Sequence, residues 1–397
     1  MAARSSHVYP ADMVRVLTFA CVIAVHTVST VNPLDSVPFG ALTMLLHFTR
    51  EAFFVLTAFV LMHRYRDRGP QPLPFWRRRF LLVGVPYVVW SVIYTGLQLV
   101  TAPQPPDAAA WFLLDNLLTG RAWFHLYFLL VSMQFYLLFP VFRWLLRATR
   151  RHHGWLIAAS LVLQVLTDIW LHDPAPVGFK AAVLPYAGSI FLSYQFFLVL
   201  GGVVAMHLDE VDAWVRGRVG VVVGAFVVTG AAAEAWYLWT VPDVGAIFGT
   251  DVFQWVMIPW VVAVVAVFWA IGAAWSDRRD GGPGSRFLDR ASDRSFGVFL
   301  VHPVILWALT IGGPGSTAAM LPVPWSSVVT YVIAVVGSLA IVEVLRLTPL
   351  SVALTGKSRS RRSPQQAHSL DTGPTPPTSA TVGTDRTRGD EMTEMRR

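Results

Sequence analysis

An arginine and a histidine sit eleven residues apart inside the first long apolar run of this sequence, from Asp12-Met13-Val14-Arg15 to His26. On an α-helix that spacing ends about 20° past three full turns, so both side chains share one face, about 16.5 Å apart along the axis. Ionisable groups in an apolar segment are costly and ask for a reason. Histidine is the natural base near neutral pH, and a guanidinium suits carboxylates and phosphates. The second apolar run carries His47, Arg50 and Glu51. His47 and Glu51, four apart, share a helical face. If this run returns antiparallel to the first, the group meets His26 at one depth. Glu51 could then orient His26 or raise its basicity, as a carboxylate does for the base of a catalytic triad. Arg77, Arg78 and Arg79 stand at the entry to the third run, where planar guanidiniums suit phosphates. Each residue also has a plain reading: Arg15 snorkels to an interface, His26 and His47 pack, Glu51 forms a salt bridge to Arg50 or Arg15, and the triple arginine marks only topology.

The elements that must position these residues are membrane helices. The 397-residue chain is 54% hydrophobic and 14% charged, against about 25% charged in soluble domains. Ten apolar runs of spanning length fall at about 12–31, 40–63, 80–101, 123–146, 154–172, 187–207, 219–240, 252–275, 295–313 and 325–347. They are continuously apolar rather than alternating, which disfavours a β-barrel. Residues 108–120 read as a short interfacial helix. The sequence thus predicts an all-α integral membrane protein of about ten transmembrane helices: a membrane domain over 1–350 and a disordered tail over 351–397, polar and without an apolar run beyond 356. The first run reads as an uncleaved signal anchor. Arginines cluster in alternate loops (Arg64 to Arg79, Arg143 to Arg151, Arg216 and Arg218, Arg278 to Arg294). By the positive-inside rule both termini are then cytoplasmic. Arg15 lies near the cytoplasmic end of its span and His26 toward the outer half. The net charge of +7 is a topology signal dispersed over short loops, and nucleic acid is a poor partner for it. Lysine is scarce, as in high-GC bacterial genomes. The single cysteine, Cys21, excludes a disulfide framework and reads as core filler. Glu343 is expected to pair with Arg346; Glu234 lies near the outer interface without an assigned role.

Five segments, in order, resemble acyltransferase family 3 of integral membrane proteins over about residues 9–350. Asp12-x-x-Arg15 followed by ten residues and His26 is similar to the signature of that family's first span. Phe53-Phe54-Val55-Leu56-Thr57-Ala58-Phe59 resembles its second-span segment, with Thr57-Ala58 where Ser-Gly is usual. Arg77-Arg78-Arg79 leading to Pro86-Tyr87 resembles the basic entry to its third. His125-Leu126-Tyr127-Phe128, with Tyr136 and Pro140, resembles its fourth, with Tyr127 where the family has tryptophan. Ser295 to His302 resembles a late Ser-Tyr-Gly segment ending in histidine. The resemblance implies transfer of an acyl group, acetyl by default, from cytoplasmic acyl-CoA to a hydroxyl on an acceptor at or beyond the outer face. It implies His26 as general base, Arg15 on the donor, and Glu51 behind His26. Arg77, Arg78, Arg79, His125, Tyr127 and His302 are then the substrate-binding residues.

The expectation is a multi-pass protein of the bacterial inner membrane, O-acylating a cell-surface glycan, lipid or natural product. Acyl-CoA is its co-substrate, and no bound cofactor or metal is expected. No Gly-x-Ser-x-Gly elbow supports an acyl-serine route, no Walker loop supports ATP use, and His152-His153 lacks metal-site spacing. No soluble domain is expected after the last span. The rival is a transporter or flippase of a glycan or lipid precursor, which intramembrane charges suit equally; no pair of broken helices or half-to-half repeat favours it.

Overall fold

The computed structural model describes residues 7–359 as a helical bundle in which no strand occurs among the described residues. In chain order the helices are α1 (Tyr9–Val31), α2 (Val37–Leu46), α3 (Thr49–Arg64), α4 (Pro72–Arg79), α5 (Val85–Thr101), α6 (Pro106–Thr119), α7 (Tyr127–Ala148) and α8 (His153–Leu171). There follow α9 (Gly178–Val183), α10 (Gln195–Met206), α11 (Leu208–Gly217), α12 (Val219–Gly249), α13 (Met257–Asp277), α14 (Pro283–Thr310), α15 (Trp325–Leu345) and α16 (Ser351–Thr355). Proline opens α4, α6 and α14, where its missing N–H has no intrahelical partner to lose. α6 covers the short helix expected at 108–120.

Eight stretches among the described residues are long and apolar enough to cross a membrane, and the pair Gly178–Ser189 and Phe191–Met206, bent by 62°, makes a ninth. By length and composition the described residues thus supply eight or nine of the about ten expected spans. The remaining expected span, 295–313, falls in the second half of α14. Arg286, Asp289, Arg290, Asp293 and Arg294 charge the first half of that helix, so no spanning-length window of it is apolar. Outward faces of α5, α8, α12 and α15 expose rows of large apolar side chains, such as Val221, Val223, Val227 and Val228 on α12. Faces of that extent are rare on soluble proteins and belong to lipid. The protein is an all-α integral membrane protein.

The helix ends sort onto two faces by their contacts. On one face Arg143 and Arg147 of α7 donate to the carbonyls of Tyr65 and Arg66 after α3. Arg216 of α11 pairs with Asp277 of α13 at 2.5 Å, and Arg279 lies over the Tyr9 ring of α1 at 4.1 Å. On the other face Asn32 meets Ser327, Tyr237 reaches Val37 and His172 meets Asp251. The arginine-rich loops thus gather at one end of the bundle, called the basic face below.

The spans α1 and α3 sit at the centre. α3 packs against α10 through Gly201, where a Cβ would lie 2.1 Å from the Val55 carbonyl; only a glycine permits that approach. In the apolar window of Val37–Arg64 67% of the residues are buried, against 17% in that of α12. It is broken between Leu46 and Thr49, and the Leu45 carbonyl near the break accepts from Trp260 Nε1 at 2.9 Å. Non-helical backbone at membrane depth is tolerated where protein satisfies it. A π-helical turn, Phe80–Gly84, joins α4 to α5. Pro86 cannot donate to the Leu82 carbonyl, and its ring crowds that carbonyl, which accounts for the widened turn. Cys21 is half-buried against the apolar core.

The expected structureless stretch begins too early in the sequence. Its first residues form α16, with Ser351 and Thr355 buried and the Leu354 carbonyl accepting from Trp90 Nε1 at 3.1 Å. These contacts, with the fit of Gly356 against Leu82 of the π-helical turn and Phe296 of α14, give the segment packing that its polar composition does not announce. The rest of that expectation, 360–397, lies outside the described residues. Glu343 pairs with Arg294 at 2.9 Å rather than with Arg346, which pairs with Asp293 at 3.3 Å. α14 runs beside α15 and offers both partners across the helix pair, nearer than one turn along α15 itself.

Candidate active site

Cavities enter the bundle at the basic face and end around His26. The outermost, of about 380 Å³, is lined by Asp12, Arg15, Arg279, Asp289, Asp293 and Lys357, among others. Arg15 Nη1 donates to Asp12 Oδ1 and to Ser292 Oγ, both at 3.0 Å, and Ser292 Oγ donates to Asp12 Oδ1 at 2.7 Å. His7 Nε2 also bonds Asp12. The Asp-x-x-Arg spacing therefore has a mechanical reason: the carboxylate one turn earlier and a serine of α14 together hold the guanidinium at the mouth. Hydrogen bonds from Arg279 hold the Asp289 carboxyl below its usual range, so this pair stays ionised at neutral pH.

A second cavity, of about 330 Å³, continues inward. It shares Arg15, Asp293 and Lys357 with the first and adds Arg79. The three arginines that the sequence offers as equals separate here. Arg77 and Arg78 are exposed and line no cavity described here. Arg79 turns inward over the rings of Phe75 and Tyr136, 5.6 and 5.5 Å from their centroids.

The inner chamber has a volume of about 240 Å³ and is lined by His26, His47, Arg50, His125 and Tyr127 with aromatic neighbours. Its wall toward the second cavity is made of phenylalanines. Phe53 and Phe128 line both spaces, with ring centroids 5.5 Å apart, and Phe299 lies 5.6 Å from Phe128 and 6.4 Å from Phe53. At these separations the rings touch. The mouth and the chamber are thus two compartments with an aromatic partition between them.

Three histidines, from α1, from the turn before α7 and from α14, meet beside the chamber. The His26 ring packs on Phe124 at 4.2 Å and on His302 at 5.4 Å, and His125 lies 5.5 Å from His302. His302 is fully buried and its Nδ1 contacts the Val298 carbonyl at 3.3 Å. A carbonyl only accepts, so Nδ1 carries the proton and Nε2 keeps a lone pair. That Nε2 and both nitrogens of His125 are buried without a hydrogen-bond partner. Buried polar atoms are nearly always satisfied, so these three nitrogens suit a polar ligand. No group of three His, Cys, Asp or Glu among the described residues is arranged to hold a metal ion.

Glu51 does not join this group. Its Oε1 accepts from Arg50 Nε at 2.9 Å and from Nη2 at 2.5 Å, and it lines a separate small cavity with Gln164 and Asp168. The expectation that Glu51 stands behind His26 is therefore corrected: its carboxylate neutralises Arg50. The break between α2 and α3 interrupts the regular spacing that put His47 and Glu51 on one face. Arg50 is the residue that the sequence reading passed over. It enters the chamber with its guanidinium 4.9 Å from the Tyr194 ring centroid, 4.6 Å from Phe253 and 6.0 Å from Tyr127. A charge deep in an apolar run was the available signal, but it was read as a counter-ion. Lys357 and the phenylalanine partition had no such signal.

Arg15, Arg79, His26, His125, Tyr127 and His302 thus line the neighbouring cavities on the two sides of the partition or their immediate walls, while Glu51, Arg77 and Arg78 stand outside them. Comparison with curated proteins and with solved structures returns no match. The sequence profile of the acyltransferase family 3 domain matches residues 9–345, from the first turn of α1 to the end of α15. Such a family performs chemistry, and the transporter reading gives way to it. The chain belongs to acyltransferase family 3 and is a membrane acyltransferase.

Proposed function

We propose that the protein moves a short acyl group from acyl-CoA, entering at the basic face, to an acceptor hydroxyl held in the histidine chamber. The reading rests on one observation: a mouth bearing Arg15 and Arg79 and a chamber bearing His26 share a wall of phenylalanines. The pantetheine arm has about thirteen bonds between its phosphate and its sulfur, and at three bonds per residue of extended chain it reaches roughly 15 Å. Arg15 and His26 are about 16.5 Å apart along α1. A phosphate at Arg15 therefore delivers the thioester to the partition, short of His26 by about one bond.

In this reaction His26 takes the proton of the acceptor hydroxyl as its oxygen attacks the thioester carbonyl. The carbonyl oxygen becomes an oxyanion, and Arg50 supplies positive charge in the same chamber. The C–S bond then breaks, and the departing thiolate of CoA recovers the proton from His26. His125, His302 and Tyr127 hold the acceptor hydroxyls; the unpartnered ring nitrogens give them donors and acceptors for that purpose. Arg15 positions the donor and does not touch the reacting carbon. The basic face is cytoplasmic by the loop-charge rule, and the acceptor, a glycan, lipid or other hydroxyl compound, comes from the opposite side.

The test is acetyl transfer to surface glycans and lipids. Cells carrying the protein and cells carrying His26→Ala are compared by mass analysis of those fractions, with membrane insertion checked in parallel. A loss of at least about a hundredfold is expected for removal of a general base. Transfer at the unmodified rate by a correctly inserted His26→Ala protein excludes the mechanism.

A further inference from the structure

After α15 the chain returns across the basic face as a strap. Trp90 Nε1 holds the Leu354 carbonyl at 3.1 Å, and Ser351 Oγ donates to the Lys357 carbonyl at 2.8 Å. Gly356 has φ 65°, a left-handed conformation that favours glycine. A Cβ there would also lie 2.6 Å from the Leu82 carbonyl of the π-helical turn. These contacts fix the backbone on either side of Lys357. Its ammonium is thereby directed into the mouth, where it lines both outer cavities beside Arg15.

The charge balance there is uneven. Over the two outer cavities Arg15, Arg79, Arg279 and Lys357 face three acids, Asp12, Asp289 and Asp293. Asp293 takes Lys357 Nζ and also Arg294 and Arg346. If Lys357 leaves it, two guanidiniums still neutralise that carboxylate. A cation that can change partner without leaving a carboxylate unpaired is suited to an incoming anion. Lys357 also stands beyond residue 345, the end of the matched family segment, so the family profile does not assign it.

We propose that Lys357 is a ligand for a phosphate of the donor, and that the strap built by α16 completes the coenzyme site. On donor entry the ammonium moves from Asp293 to the phosphate, beside Arg15 and Arg79. This rests on acyl-CoA as the donor, and the experiment separates the two ideas. Binding of CoA and of phosphate-free pantetheine to the purified full-length protein is measured by calorimetry in detergent. For Lys357→Gln the Kd for CoA rises about tenfold, the size of a lost charge-assisted hydrogen bond, while pantetheine binding is unchanged; Lys357→Arg restores most of the CoA affinity. Gly356→Val, which lifts the strap, gives the same selective loss. Equal weakening of both ligands, or of neither, by Lys357→Gln overturns the strap assignment and leaves the donor reading standing. A wild-type protein that binds no CoA overturns both.

Discussion

Replacing Glu51 by glutamine leaves the side chain's shape nearly intact and removes the charge that Arg50 faces. Both partners are buried, with side-chain exposures of 11% for Arg50 and 7% for Glu51. Breaking a buried pair on one side costs about 3–5 kcal/mol, because the surviving ion keeps its desolvation penalty and loses its compensation. At about 2 °C per kcal/mol for a large domain, the unfolding midpoint falls by roughly 6–10 °C. Unfolding of a membrane protein is commonly irreversible, so the midpoints are compared at one scan rate. The double variant Arg50→Met, Glu51→Leu removes both charges, and such replacements are often neutral for stability. Its midpoint returns to within about 2–4 °C of the wild type, although transfer stays low because Arg50 is gone. The assay is thermal unfolding in detergent beside acyl transfer for all three variants. If Glu51 instead served His26, Glu51→Gln would keep its midpoint and lose transfer, and the double variant would bring no recovery of stability. That pattern would refute the assignment of Glu51 to Arg50.

Three further outcomes follow from the same geometry. Arg79→Gln raises the KM for acetyl-CoA about tenfold by loss of one charge-assisted bond, whereas the exposed Arg77→Gln and Arg78→Gln change it by less than about twofold; steady-state kinetics with each variant decides. Phe128→Ala opens the partition, so longer acyl-CoA donors gain relative to acetyl-CoA. Each methylene accommodated is worth about 0.8 kcal/mol, or roughly fourfold in kcat/KM, and an acetyl-to-butyryl ratio that does not move would count against a partition that sizes the acyl group. Gly201→Val drives a side chain into the Val55 carbonyl, displacing α3 by overpacking at a cost of about 1–3 kcal/mol or more; lower yield of folded protein, with a lowered unfolding midpoint, is the expected readout.

The membrane class, the helical composition and the place of nearly every span were legible because continuous apolar length is a property of local sequence. α14 was legible only in part. Its charged first half pairs with the Arg279, Arg346 and Lys357 side chains of neighbouring segments, and that pairing is a tertiary fact. Arg15 and His26 were visible as a co-facial pair because one unbroken helix carries both. Glu51 misled for the complementary reason. Its four-residue relation to His47 assumed a regular helix, and the break at His47–Phe48 is not announced by proline or glycine. The family resemblance carried His125 and His302 to the chamber's edge, but the choice of Arg79 among three adjacent arginines needed the direction in which α4 ends.

The partition changes what the arginine–histidine pair can mean. A single open channel would let one substrate touch both residues. Phe53, Phe128 and Phe299, with ring centroids 5.5 to 6.4 Å apart, stand between the two spaces. The proposed donor therefore remains on the arginine side and sends only its thioester end to the rings. The acceptor remains on the histidine side and sends only a hydroxyl. Water in the chamber is the competing nucleophile, and a wall that parts only for the acyl group limits its access. Phe128→Ala accordingly raises hydrolysis of acetyl-CoA without acceptor, relative to transfer with acceptor. A hydrolysis-to-transfer ratio equal to that of the wild type would assign the rings to packing alone.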